Sequence, residues 1–181
     1  MKLKLITIVA ALGLAVAAAA LGSAAATEAA PKPGLVPGKW IVNGALSGSN
    51  QDGVMSIANR GQVKFTLNVA PDRSVTGSGT WRRTMRGSGA DTKSVIVGTA
   101  ELKLSGPSTD ARFAGKEYSQ GRIWVNGHAV SIGTKGIKLE GSLVIARAGD
   151  CTANGSATIP SRPGLKLKWT AERTINGTCN A

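Results

Sequence analysis

Histidine is nearly absent from this chain: among 181 residues there is one, His128. A Ser-His-Asp or Cys-His enzyme would depend on it alone. It stands beside Asn126-Gly127 with no Gly-x-Ser-x-Gly setting around it. One histidine and two cysteines are also too few ligands for a catalytic or structural zinc. Acids are scarce, ten in all, and fall singly, so there is no Asp-x-Asp calcium loop. Glu101 and Glu140 are the pair that folding could bring together for glycoside chemistry. Both occupy polar strand positions, where a solvated carboxylate is the ordinary outcome. Walker and dinucleotide fingerprints are missing, and the 24 glycines spread through turns. Aromatics are few, with four Trp, two Phe and one Tyr. Single-stranded nucleic acid needs aromatic platforms interleaved with basic residues, so that partner is disfavoured. Finally, no segment carries a helical period, which excludes a parallel sheet with helical crossovers. These absences leave no catalytic residue, metal or cofactor to name, and the chain leans away from being an enzyme.

What is present begins with a leader. Lys2 and Lys4 precede an uncharged apolar run from Leu5 to Leu21, and Ala24-Ala25-Ala26 supplies small residues for a signal peptidase. The run is short and alanine-rich for a retained membrane span. Residues 1–26 are therefore expected to be a signal peptide of bacterial style, 27–37 a flexible proline-rich arm, and 38–181 one domain. No cysteine lies near the cut to take a lipid. Export puts Cys151 and Cys179 in an oxidising compartment, periplasmic or extracellular, where one disulfide is expected to tie the last strand to an earlier turn.

From Gly38 onward the chain reads as short strands and turns. Gln62 to Val69 alternates cleanly, with Val63, Phe65, Leu67 and Val69 on one face and Lys64, Thr66 and Asn68 on the other. Ile137 to Arg147 and Leu165 to Ile175 do the same. In Ser74 to Met85, Gly77 and Gly79 share the face of Val75 and Trp81, which predicts a bend, a bulge or a bulky neighbour across the sheet. Arg86 to Thr92 reads as a polar loop, and Gly115 to Gln120 as a loop with functional potential. Asn154-Gly155 and Asn176-Gly177 read as hairpin turns, although each also fits the glycosylation acceptor pattern. The expected fold is all-β, an antiparallel up-and-down barrel of about 8–10 strands, with a two-sheet sandwich as the alternative.

Gly38-Lys39-Trp40, opening the first strand of an exported all-β chain, resembles the Gly-x-Trp signature of the calycins, which include lipocalins and avidin-like proteins. The resemblance implies that Trp40 closes one end of a barrel, with Arg173 of the last strand packed over its ring. Two departures stand out: lipocalins carry a helix after the barrel, and only a few residues follow Arg173 here. With one tyrosine, biotin binding is not implied.

Two functions follow as expectations. The first is a non-enzymatic binder of a small apolar or amphipathic ligand inside the barrel, lined by Val63, Phe65, Leu67, Leu139, Leu143 and Trp169. The second rests on charge. The chain carries 22 Lys+Arg against 10 Asp+Glu, which favours docking on anionic envelope polymers, lipids or a protein partner. Arg82, Arg83 and Arg86, beside Gly-Ser-Gly, form the densest basic cluster and the expected anion site.

Overall fold

The computed structural model describes residues 33–53, 55–174 and 179. The expected signal peptide, 1–26, and the expected turn at Asn176-Gly177 fall outside the described residues. Among the described residues nine strands follow in order: β1 (Gly38–Asp52), β2 (Met55–Val69), β3 (Ser74–Ser88), β4 (Thr92–Pro107), β5 (Arg112–Val125), β6 (His128–Gly133), β7 (Ile137–Ala148), β8 (Thr152–Thr158) and β9 (Lys166–Thr174). Every pairing is antiparallel. Eight of the strands close into an uneven ring, β1-β2-β3-β4-β5-β7-β8-β9 and back to β1, and β6 is added to the far half of β5. Closure gives most of each strand two neighbours, which an open antiparallel sheet of this length would lack at its edges.

Strand alternation turns Trp40, Phe65, Trp81, Phe113 and the aliphatic faces into a continuous buried core. Large side chains face small residues across the ladder. Phe65 lies opposite Gly79, Leu67 opposite Gly77, Phe113 opposite Gly141 and Trp169 opposite Gly155. A β-carbon at Gly79 would run into the Phe65 ring, so the glycines of β3 make room for bulk on β2, as the shared face predicts.

Local expectations fail where tertiary packing overrules them. Residues 115–120 are not a loop: they lie inside β5. The polar loop at 86–92 is shorter, since β3 runs to Ser88 and β4 starts at Thr92. Asn154-Gly155 makes no turn. It passes straight through β8 because the indole of Trp169 lies over Gly155. The described part of the arm, 33–37, is anchored. Leu35 is 2% exposed, its N–H donates to Ser108 O, and its carbonyl accepts from Arg73.

Gly38, Trp40 and Arg173 sit at this same end. Trp40 is fully buried, donates from Nε1 to Val36 O, and pairs with Arg173 in the β1–β9 ladder. Gly38 has φ 140°, and Arg173 Nε lies 2.5 Å from where its β-carbon would be. Only glycine serves there, on both counts. The Cys151–Cys179 disulfide joins positions 28 apart and ties the residue just before β8 to Cys179.

Candidate functional site

The ring holds two chemically distinct regions, one inside and one outside. Inside, β5 points Glu117 into the core beside Phe113 and Ser119. Its side chain is 1% exposed and meets Arg83 at 3.0 Å and Arg162 at 2.8 Å. Arg83 binds in a fork, Nε to Oε1 and a terminal nitrogen to Oε2, both 3.0 Å, while its other terminal nitrogen donates to Asn59 Oδ1. Trp81 Nε1 donates to Glu117 Oε1 at 3.0 Å. Arg162, on the β8–β9 loop, donates from Nε and Nη2 to Oε2, so that loop is fastened to the ring interior. Gly98, on β4, has no side chain because Glu117 Oε1 occupies that space.

Burial alone pushes the Glu117 carboxyl up. The Arg83 charge and the hydrogen bonds from Arg162, Trp81 and Arg83 outweigh it and hold the group below the usual carboxylate range. Two guanidiniums on one carboxylate leave the cluster positive by one. Its donors and acceptors are turned on one another, so the cluster fastens β3, β5 and the β8–β9 loop together.

Val63, Phe65, Leu67, Leu139, Leu143 and Trp169 all face inward and are 0–3% exposed. They pack on one another and on Trp40 and Trp81 within the core. Grooves open on the outside of the ring. One of about 720 Å³ runs past Lys64, Thr66, Thr80, Glu101 and Lys103. Glu140 pairs with Lys138 at 2.8 Å on the surface. Among the described residues no three His, Cys, Asp or Glu stand together as a metal site.

The arginine cluster divides. Arg82 and Arg86 point outward and Arg83 points in, because neighbouring residues of a strand face opposite ways. What sequence reasoning missed is Glu117, and the signal was parity: it shares a face with Phe113.

Outside, Lys166 and Lys168 of β9, Arg60 and Lys64 of β2, and Arg82 and Arg86 of β3 are all exposed. Ladder register sets them in rows: Lys166, Ser47, Arg60, Thr84, and beside it Lys168, Ala45, Gln62, Arg82. The one carboxylate on this outer face of β9, β1, β2 and β3 is Glu172, one row beyond Thr170, Asn43 and Lys64. None of the six cations takes part in an ion pair among the described residues. Neighbouring rows are about 7 Å apart and each row spans about 14 Å of sheet. No protein-family model matches this chain, and no curated protein does.

Proposed function

We propose that this protein is a non-enzymatic exported β-barrel whose basic outer face docks on phosphate-bearing polyanions of the cell envelope. The observation that carries this reading is the set of six exposed cations on β9-β1-β2-β3, with a single carboxylate, Glu172 at the border, on that outer face of the four described strands. Such a face attracts an extended anion through charge and counterion release. The disulfide is compatible with export, and the proposal takes residues 1–26 as the signal peptide. It also takes the chain as a calycin relative, supported by the Gly38-Trp40-Arg173 arrangement at one end. A small apolar ligand inside the ring stands second, since six inward side chains already occupy that space.

The test is retention on anionic against neutral vesicles, and on a soluble polyphosphate, over a salt series. Binding is expected to weaken steeply with salt, and to be lost when Lys64, Arg82 and Lys168 are changed together to Glu. The same change at Lys93, Lys116 and Arg122 is the control. Vesicle binding without polyphosphate binding assigns the anion to lipid, and the converse assigns it to polymer. Salt-insensitive retention, or equal loss in both triple variants, would overturn the reading.

A further inference from the structure

β6 is the one described strand with a neighbour on a single side along its whole length: it pairs only with β5. Exposed edges are normally protected by lysine, proline or a bulge. His128–Gly133 has none of these and carries no Lys, Arg, Asp or Glu in a chain with 22 basic residues. Val130 is 56% exposed, and Val125, opposite His128, is 44% exposed.

Hairpin geometry fixes which backbone groups are free. Asn126 and Gly127 have φ of 49° and 81°, a two-residue type I′ turn. Val125 and His128 therefore form the hydrogen-bonded pair that closes it, and even-numbered residues of β6 turn their N–H and C=O toward β5. Thr134 continues the pattern, its N–H donating to Ser119 O at 2.8 Å. The N–H and C=O of Ala129, Ser131 and Gly133 consequently face away from the ring.

We propose that this edge pairs with the same edge of a second copy, antiparallel about a two-fold axis through Ser131. The register is self-complementary. Ser131 meets Ser131 of the other copy, and Ala129 meets Gly133, so all three outward pairs exchange backbone hydrogen bonds. On the inward face each Val130 then lies beside Ile132 of the other copy, a β-branched pair at the closer, non-hydrogen-bonded spacing. On the outward face the paired residues are small. No like charges meet at the axis, although the molecule as a whole is strongly basic. A six-residue edge buries less than the roughly 1,200 Å² of standard interfaces, so the dimer belongs to the weak, concentration-dependent class. Dimerisation goes beyond the polyanion reading and does not depend on it.

Sedimentation over a concentration series tests this, using the protein in the form that accumulates in an expressing bacterium. A reversible monomer–dimer equilibrium is expected, shifted to monomer at least tenfold by Val130→Lys. That exposed position accepts a lysine without loss of fold, which circular dichroism checks. Register is tested separately. Under mild oxidation Ser131→Cys is expected to cross-link within minutes and Ala129→Cys at least tenfold more slowly. A monomer at every concentration, a dimer indifferent to Val130→Lys, or equal cross-linking of the two cysteine variants would overturn the proposal.

Discussion

Replacing Glu117 by Gln removes one charge and almost no volume. It leaves Trp81 an acceptor while stripping the counter-charge from Arg83 and Arg162, whose side chains are 8% and 17% exposed. Breaking a buried ion pair from one side costs about 3–5 kcal/mol, because the remaining charge stays desolvated. Arg162 is the more accessible and recovers water more readily, so the lower half of that range is expected, about 3 kcal/mol. With a urea slope near 2 kcal/mol/M, the midpoint should fall by about 1.5 M. Equilibrium urea unfolding followed by tryptophan fluorescence and circular dichroism measures it. Replacing the whole cluster, Arg83→Met with Glu117→Leu and Arg162→Met, should be far less harmful than the single change, since no orphaned charge remains. A loss under about 1 kcal/mol for Glu117→Gln, at unchanged slope, would refute the view that these charges are desolvated and coupled.

Further expectations share the same assays. The lowered Glu117 pKa means its contribution is complete above the unfolded value of about 4.3 and disappears as pH falls through the folded one; acid titration of stability should show that limb, and Glu117→Gln should flatten it. Asp72, exposed and also lowered by hydrogen bonds from Ser74, adds its own share by the same linkage, so Asp72→Asn should trim the limb while the Glu117 share stays in place. Gly38→Ala, at φ 140° and against Arg173, should lower stability by about 1–3 kcal/mol in urea unfolding. Reducing the Cys151–Cys179 bridge, which spans 28 positions, should cost roughly 3.5 kcal/mol and lower the melting temperature by several degrees.

Much of the architecture was legible because its signal is local. Gln62 to Val69 alternates apolar and polar, and it is found in β2 with Val63, Phe65 and Leu67 buried. β5 hid itself by reversing that signal. Its inward positions include Gly115, Glu117 and Ser119, and its outward ones Ala114 and Tyr118. An inward carboxylate is tolerable only because Arg83 and Arg162 arrive from 34 and 45 residues away, which no short window contains. The arginine cluster misled for the opposite reason. Three basic residues close in sequence suggest one site, yet Arg83 shares parity with Trp81 and leaves the other two on the far side of the strand. Asn154-Gly155 has strong turn chemistry, but a glycine beneath an indole is equally at home in a strand.

The pairing of large residues with glycine across the ring has a consequence for how this fold can drift. Phe65 and Gly79 occupy one volume between them, as do Phe113 and Gly141. The glycine cannot take that bulk in exchange, because a β-carbon at Gly79 would also meet the Lys64 carbonyl, and one at Gly141 the Thr158 carbonyl. Drift at such a pair is thus confined to the larger residue, while the glycine stays fixed by the backbone beside it. In this ring, the character to be inherited is the glycine itself, and the bulk that covers it is the negotiable half of the pair.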